Sequence, residues 1–172
     1  MEASVTNVEQ LLRVLADAGV EFVVIGGVAA AMHGSARATY DLDIVYHRTA
    51  ENVARVSKAL LPYEPYLRGA PRGLPFRWDP QTILAGLNFT LTTTLGSIDL
   101  LGEVTGGGTY QQLLPHSLRL EVFGVPCLCL DLEMLIHVKR AAGRPKDLQA
   151  IAELEVLRQE AAKQRRYGAG RE

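Results

Sequence analysis

Apolar and polar residues recur along the chain with two periods, one typical of helices and the other of strands. The leucines of TNVEQLLRVLADAG, residues 6–19, have the spacing of an amphipathic helix, and Thr6 followed by Glu9 predicts a capping box at its start. The β-branched run in VEFVVI predicts a mostly buried strand that stops at the glycine pair Gly26 and Gly27. The chain is therefore expected to begin with a helix followed by a core strand.

Three further elements and one long loop are predicted between the glycine pair and residue 81. A short helix ends at Gly34, the alternation in YDLDIVYH (40–47) predicts a second strand, and TAENVARVSKALLP (49–62) predicts a second amphipathic helix. Residues 63–81 are rich in Pro, Gly and Arg, which predicts a loop. Long loops in compact domains are often functional.

The middle of the chain is predicted to be rich in strands. GLNFTLTTTLGSIDLLG (86–102) has the alternation of a hairpin, with a turn near Leu95 and Gly96. A loop and a short helix in TGGGTYQQLL precede two more predicted strands, SLRLEVF (117–123) and VPCLCL (125–130). This mixture of hairpins and crossovers favours a mixed sheet covered by helices.

The C-terminal part is predicted to be helical. Asp131 is the expected N-cap of the helix in DLEMLIHVKRAAG, and Pro145 takes a first-turn position in the helix that follows. We therefore predict an α+β fold with a core over residues 1–130 and C-terminal helices over residues 131–163 packed on it within the same domain. Residues 164–172 are expected to form a flexible tail.

Composition and charge exclude several classes of protein. The chain has 172 residues, of which 48% are hydrophobic and 22% charged, so it is long enough for one core and is not typical of disorder. Its net charge of -1 gives no overall attraction to nucleic acid or to an anionic membrane. Cys127 and Cys129 are interpreted as small buried hydrophobes. Neither a signal peptide nor a membrane span is predicted, and a cytoplasmic location is expected.

Two aspartates one residue apart lie in the second predicted strand. Side chains at positions i and i+2 project from the same face of a strand, about 6 to 7 Å apart, so Asp41 and Asp43 share one space. Unneutralised, each carboxylate raises the pKa of the other, and a divalent cation removes that repulsion. Asp99, between apolar neighbours in SIDLL, is the expected third carboxylate. Two Mg²⁺ ions, with Mn²⁺ as the alternative, would stabilise the attacking and leaving oxygens of a phosphoryl displacement.

The glycine pair is suited to binding phosphate. Where a strand passes into a helix, residues without side chains let backbone N–H groups approach a phosphate, and the helix N-terminus favours negative charge. GGVAAAMHG lacks the G-x-G-x-x-G spacing of dinucleotide-binding proteins, and TGGGTY lacks the Gly-Lys-Ser/Thr of a Walker A loop. A triphosphate and its metal would therefore meet between Gly26, Gly27 and the acidic strand.

An apolar strand, GG, the strand DLDIV and a later Asp in IDLL together resemble the nucleotidyltransferase superfamily typified by DNA polymerase β. RATYDLDI, SIDLLGEVTGGGTY and LIHVKRAAGRPKDLQAIAEL resemble the small prokaryotic nucleotidyltransferases related to the AbiEii-type and minimal toxin–antitoxin enzymes. The resemblance covers nearly the whole chain and implies the nucleotidyltransferase fold. One departure is Ala150, which stands where related toxin-like proteins often carry a further acidic residue.

The resemblance also implies roles for individual residues. Gly26 and Gly27 would hold the nucleotide phosphates, while Asp41 and Asp43 would bind Mg²⁺. Asp99 would share the metal ions and help to deprotonate an acceptor hydroxyl.

Basic residues are candidates for binding the triphosphate, which needs positive charge. Lys139 is the first choice because the resembling families carry a lysine there. Arg144 and Lys146 are either phosphate ligands or solvated helix ends. Arg37, just before the acidic strand, either contacts the substrate or pairs with Asp41.

The long loop is both basic and aromatic. This character suits a nucleotide base or an acceptor, although a solvated loop is the favoured interpretation. His33, on an Ala-rich helix, is interpreted as a packing residue. The loop residues concerned are Arg68, Arg72, Arg77 and Trp78.

The favoured function is a Mg²⁺-dependent nucleotidyltransferase, in which an acceptor hydroxyl attacks the α-phosphorus of an NTP and pyrophosphate leaves. The alternative is a catalytically silent nucleotide-binding or partner-binding protein of the same fold, such as one member of a toxin–antitoxin pair. Candidate acceptors are a protein hydroxyl, the 3′ end of an RNA such as tRNA, and a small molecule such as an aminoglycoside. The resemblance alone favours a protein or tRNA acceptor, and a cognate toxin or antitoxin as a partner.

Overall fold

A computed structural model describes residues 5–38 and 41–170 of the chain. Tyr40, the predicted first residue of the second strand, lies outside the described residues. In chain order the elements are α1 (Val8–Asp17), β1 (Phe22–Ile25), α2 (Gly26–Met32), β2 (Asp41–Tyr46), α3 (Ala50–Leu60), β3 (Tyr66–Leu67), α4 (Pro80–Ala85), β4 (Asn88–Thr93), β5 (Gly96–Leu101), β6 (Glu103–Val104), β7 (Gly108–Thr109), α5 (Tyr110–Leu113), β8 (Ser117–Val122), β9 (Val125–Leu130), α6 (Leu132–Ala142) and α7 (Pro145–Ala169).

Seven of the strands form one mixed sheet in the order β3-β4-β5-β2-β1-β9-β8. The pairs β2–β5 and β1–β9 are parallel, whereas β1–β2, β3–β4, β4–β5 and β8–β9 are antiparallel. Strands β6 and β7 form a separate two-stranded sheet. The predicted α+β fold with a mixed sheet is confirmed, and β2 lies at the centre of the large sheet.

The core lies where the central strands meet the helices. All four residues of β1 are buried, as is typical of a strand covered on both faces. Leu42 and Ile44 of β2 are fully buried and alternate with the two aspartates, so β2 has one apolar face and one face with charged residues. Each fully buried leucine or isoleucine contributes about 1.5–3 kcal/mol through the hydrophobic effect.

Helices flank the sheet in two groups. Helix α1 contacts β9, β2 and α3, and α3 contacts α4. Helix α2 contacts β1, β2 and α6, and α6 contacts α7. The C-terminal helices therefore approach the sheet beside α2, the helix that begins at the glycine pair. Within residues 5–38 and 41–170, no helix combines the length and apolar composition needed to span a bilayer.

The predicted capping box at the first helix is wrong. Asn7 is the N-cap of α1, and its Oδ1 accepts a hydrogen bond of 3.0 Å from the backbone N–H of Gln10. The hydroxyl oxygen of Thr6 instead accepts a bond of 3.0 Å from the backbone N–H of Ser97 in β5. A long-range contact with the sheet thus takes the hydroxyl that the local pattern assigned to the helix.

Two boundaries also differ from the prediction. Helix α7 continues to Ala169, through residues 164–169 of the predicted flexible tail, because four of these six residues are the good helix formers Gln, Arg and Ala. The loop predicted over residues 63–81 contains the short strand β3, which pairs with β4 at one edge of the sheet. That edge position brings the loop close to the acidic face of β2 and β5.

Candidate active site

The parallel pairing of β2 with β5 brings the three predicted carboxylates together. In the register of the two strands Asp43 lies opposite Asp99, and Asp41 lies opposite Ser97. Because side chains alternate between the faces of a strand, Asp41 projects on the same side as Asp43. Asp41, Asp43 and Asp99 are referred to below as the carboxylate cluster.

The carboxylate cluster lines a pocket of about 550 Å³. Parts of α2, β2, β5, α6 and α7 form the walls, so the pocket lies where the C-terminal helices meet the sheet. All of the predicted site residues line it: Gly26, Gly27, Arg37, Asp41, Asp43, Asp99, Lys139, Arg144 and Lys146.

Gly26 packs directly against the carboxylate of Asp43. It has a φ of +66°, which a residue with a side chain rarely adopts, and it is the first residue of α2. A Cβ atom at this position would lie 2.2 Å from Oδ2 of Asp43. The backbone of the glycine turn can therefore approach the carboxylate cluster only because residue 26 has no side chain.

Asp43 is the most strongly perturbed member of the cluster. Burial, the charge of Asp99 with the hydrogen bond between the two carboxyl groups, and the charge of Asp41 together raise the pKa of Asp43 to about 8. The charge of Lys139 acts in the opposite direction but does not compensate. In the metal-free protein Asp43 is therefore largely protonated at neutral pH, and the cluster needs positive charge before all of its members ionise.

Arg68 supplies some of that charge, and this role was not predicted. Its Nη2 lies 2.8 Å from Oδ1 of Asp99, and its Nη1 lies 3.6 Å from Oδ2 of Asp41. The Arg68 side chain is only 27% exposed, so the favoured interpretation of this loop as solvated is wrong at this position. It holds for Arg72 and Arg77, which are exposed.

A second group of charges surrounds Asp147, whose side chain is 1% exposed. One carboxylate oxygen accepts hydrogen bonds from the backbone N–H and the Nε of Arg144, at 3.2 and 2.7 Å. The other accepts from Nη2 of Arg144 and from Nζ of Lys139, at 3.3 and 3.4 Å. Burial alone would raise the pKa of Asp147, but the hydrogen bonds from Arg144 and the charges of Lys139 and Arg144 lower it. Asp147, Lys139 and Arg144 are called the Asp147 cluster below.

The remaining basic residues occupy the rim of the pocket. Arg37 pairs with Glu153 of α7, with 3.5 Å between Nε and Oε2, so the predicted pairing with Asp41 is not the one observed. Lys146 is exposed in the first turn of α7. The basic wall therefore contains two cations held by Asp147, Lys139 and Arg144, beside Lys146 and Arg37 at the rim.

The donors of the carboxylate cluster suit Mg²⁺, which prefers carboxylate oxygens, water and phosphate oxygens. Asp99 Oδ1 is buried and accepts no hydrogen bond, and its charge is met by the ion pair with Arg68, which a divalent cation would replace. Within the described ranges, however, no three Asp, Glu, His or Cys side chains converge as a ready-made metal centre. The donor set therefore fits a divalent cation, and its side chains must rearrange to bind one.

Two other residues have packing roles, which the sequence predicted for His33 but not for Trp78. His33 contacts the backbone carbonyl oxygen of Leu130 through Nε2 at 2.9 Å, which ties α2 to the end of β9 and is a packing role. Trp78 donates a hydrogen bond of 2.9 Å from Nε1 to the carbonyl oxygen of Ser57 and packs against the core. Neither residue lines the pocket.

Sequence reasoning missed Arg68 and the position of Asp147. The loop that carries Arg68 has no periodic pattern, so its approach to β2 and β5 could not be read from the chain. One signal existed: the alternating apolar residues of YEPYLR are compatible with a short strand. Asp147 could have been identified because it is the residue three positions after a helix N-cap.

Comparison with known proteins gives structural matches. No protein-family model matches the chain, and no curated protein matches its sequence. The antibiotic-resistance factor ANT(2″)-Ia superimposes with a TM-score of 0.51 at 16% sequence identity, covering 94% of this chain and 91% of the other. A candidate nucleotidyltransferase from Thermotoga maritima, TM1012, gives a TM-score of 0.49 at 15% identity, with 90% of each chain covered.

At such low identity, a structural match supports the fold and leaves the chemistry to the residues of the site. The ANT(2″)-Ia match covers nearly the full length of both chains, so the likeness includes the C-terminal helices as well as the sheet. The chain therefore has the nucleotidyltransferase fold.

Proposed function

We propose that this protein is a Mg²⁺-dependent nucleotidyltransferase, which transfers a nucleoside monophosphate from an NTP to an acceptor hydroxyl and releases pyrophosphate. One observation carries the proposal: three carboxylates on paired strands face a glycine turn and a basic wall across a single pocket. An acidic floor opposite a basic wall is the charge arrangement that a metal-bound triphosphate requires.

Within this proposal each residue has a defined task. Asp41, Asp43 and Asp99 would hold Mg²⁺, which when bound screens the triphosphate and favours ionisation of the attacking hydroxyl. The backbone at Gly26 and Gly27 would approach the phosphates. It can lie this close to Asp43 because residue 26 has no side chain. The cations of the basic wall would stabilise the negative charge of the leaving pyrophosphate.

The cations of the basic wall are not all restrained to the same degree. Asp147 fixes Lys139 and Arg144 through hydrogen bonds, so these two cations need little reorganisation to meet a phosphate. On the acidic floor, Asp99 would accept the proton of the acceptor hydroxyl once its ion pair with Arg68 is released.

The acceptor belongs to the same proposal. We favour a protein hydroxyl or the 3′ end of a tRNA, with an aminoglycoside-like small molecule as the alternative, and action in the cytoplasm alongside a cognate toxin or antitoxin. This preference rests on the resemblance of RATYDLDI, SIDLLGEVTGGGTY and LIHVKRAAGRPKDLQAIAEL to the AbiEii-type and minimal toxin–antitoxin enzymes. ANT(2″)-Ia is named as an antibiotic-resistance factor, which keeps the small-molecule acceptor in the test.

A catalytically silent nucleotide-binding or partner-binding protein is the second candidate. The observation that favours it is Arg68, which lies between Asp41 and Asp99 and already neutralises part of the cluster. A permanent arginine there would leave nucleotide binding but no place for two metal ions.

Labelled transfer distinguishes the two candidates. The protein is incubated with α-³²P-labelled NTPs, Mg²⁺ and a lysate of its host, and the products are digested separately with protease and RNase. An active transferase labels material that one of these digestions removes, or a small molecule that neither removes. Tight NTP binding without labelled product would support the silent protein instead.

A matched pair of variants assigns the activity to the pocket. Asp43→Asn is expected to reduce transfer by on the order of 100-fold or more, because a metal-binding carboxylate is lost. Asp17→Asn makes the same chemical change at an exposed position at the end of α1 and is expected to leave transfer unchanged. Full transfer by Asp43→Asn would remove the carboxylate cluster from the mechanism.

A further inference from the structure

Arg68 occupies the space that a cation would share with the carboxylate cluster. Its guanidinium is in ion-pair contact with Asp99 at 2.8 Å and with Asp41 at 3.6 Å. Mg²⁺ binds carboxylate oxygens at about 2.0–2.1 Å and retains several water molecules. The guanidinium and a hydrated metal ion therefore cannot lie between Asp41 and Asp99 at the same time.

The backbone of Arg68 is fixed by a hydrogen bond, whereas its guanidinium is only partly hydrogen-bonded. The backbone N–H donates a bond of 2.9 Å to the carbonyl oxygen of Thr90, which fixes residue 68 at the sheet edge. Nη2 donates a bond of 2.7 Å to the carbonyl oxygen of Leu91. Nε is buried without a hydrogen-bond partner, and the contact of 2.8 Å between Nη2 and Oδ1 of Asp99 is an ion pair without hydrogen-bond geometry. The side chain can therefore leave the cluster while β3 stays in place, and few hydrogen bonds are lost when it does.

We propose that Arg68 is an internal counter-ion that competes with the divalent cation for Asp41 and Asp99, so that metal binds only as the guanidinium leaves. The inference rests on the proposed function, since it requires that the carboxylate cluster binds a metal. Arg68 then lowers the apparent metal affinity, because only the fraction of molecules with the guanidinium displaced can bind. It also keeps the metal-free cluster from carrying uncompensated negative charge.

Metal binding without nucleotide tests the competition directly. Binding of Mn²⁺ is followed by the electron paramagnetic resonance signal of the free ion, for the wild type, Arg68→Gln and the control Arg72→Gln. Arg72 lies in the same segment, is exposed and stacks over Tyr66 at 5.1 Å, and it forms no ion pair within residues 5–38 and 41–170. Arg68→Gln is expected to bind Mn²⁺ about tenfold more tightly than the wild type, whereas Arg72→Gln is unchanged.

A second measurement needs no variant, in case Arg68→Gln does not fold by circular dichroism. The buried Nε–H of Arg68 should give an observable ¹H–¹⁵N NMR signal, assigned through bonds in the wild-type protein. Saturating Mg²⁺ is expected to shift or broaden this signal and to leave that of Arg48 unchanged. Arg48 bonds to the carbonyl oxygen of Gly86 and to Tyr46, and within residues 5–38 and 41–170 it forms no ion pair with the carboxylate cluster.

The outcomes separate this inference from the proposed function. If the wild type binds Mn²⁺ but Arg68→Gln binds equally or more weakly, the competition is wrong and the metal site stands. An Arg68 signal that does not change at saturating Mg²⁺ would also overturn the competition. If neither the wild type nor Arg68→Gln binds Mn²⁺, with or without NTP, both the inference and the proposed function fail.

Discussion

The carboxylate cluster and the Asp147 cluster line the same pocket, but their buried charges are compensated in different ways. Asp147 is almost completely buried, yet both of its oxygens accept hydrogen bonds from two cations. The carboxylate cluster contains more negative charge, but Oδ1 of Asp99 is buried without a hydrogen bond and has only an ion-pair contact with Arg68. The two clusters therefore differ in how completely the protein itself neutralises them.

This difference separates a structural role from a binding role. A buried carboxylate with all of its partners stabilises the fold and pre-orients the cations around it. A group of carboxylates that the protein neutralises only in part retains a demand for positive charge, which a metal ion can meet. The pKa of Asp147 is lowered and that of Asp43 is raised, as expected from this contrast.

The largest expected effect on stability comes from a substitution in the Asp147 cluster. Asp147→Asn removes charge-assisted hydrogen bonds that each contribute about 1.5–3 kcal/mol. Lys139 and Arg144 are partly exposed and recover water, so the net loss of unfolding free energy is expected to be about 2 kcal/mol. Urea denaturation at pH 7 measures it as a lower midpoint with an unchanged slope. A loss below about 0.5 kcal/mol would mean that this cluster is no more structural than a surface ion pair.

The carboxylate cluster is expected to make the stability of the metal-free protein depend on pH. Because the folded-state pKa of Asp43 is raised to about 8, the folded protein binds more protons than the unfolded chain between about pH 4 and pH 8. The stability of the metal-free protein should therefore fall as the pH rises through this window. Asp43→Asn is expected to gain stability relative to the wild type as the pH rises from 5 to 8, because asparagine has no proton to lose.

Thermal unfolding in EDTA at pH 5 and pH 8 tests this prediction. Asp17→Asn is the control and should follow the wild type at both values, since Asp17 is exposed on α1. If Asp43→Asn gained no stability relative to the wild type between pH 5 and pH 8, the cluster would already be neutralised and the contrast with Asp147 would disappear.

The smallest expected effect comes from an ion pair outside both clusters. Arg140 and Glu155 join α6 to α7 with 2.6 Å between Nη2 and Oε1, and the Arg140 side chain is 58% exposed. Arg140→Gln is expected to change the unfolding free energy by less than about 0.5 kcal/mol, because exposed pairs gain little and are screened by salt. Urea denaturation alongside Asp147→Asn makes the comparison. An equal loss in both variants would show that pairing between α6 and α7, rather than burial at Asp147, sets the stability.

The period of two in β2 made part of the site predictable. Asp41 and Asp43 had to share a face, and Leu42 and Ile44 had to face the core, because a strand alternates its side chains. The position of Asp99 in an apolar strand was also predictable. That it lies opposite Asp43 was not, since the register of two parallel strands is set by packing across the sheet.

Long-range contacts explain what the sequence could not predict. Arg68 reaches the cluster because β3 pairs with β4 at the sheet edge, far along the chain from β2. Thr6 bonds to Ser97 for a similar reason, so the local capping pattern was misleading. The cation inside the site and the true helix cap both depend on tertiary contacts, which have no periodic signature in the chain.

The central claim is that the carboxylate cluster binds nucleotide through a divalent cation. Isothermal titration of the wild type and Asp43→Asn with each of the four NTPs, in Mg²⁺ and again in EDTA, tests it most directly. The account predicts that the wild type binds at least one NTP in Mg²⁺, that EDTA abolishes this binding, and that folded Asp43→Asn does not bind. Equal binding by Asp43→Asn, or binding by the wild type that is unchanged in EDTA, would contradict it.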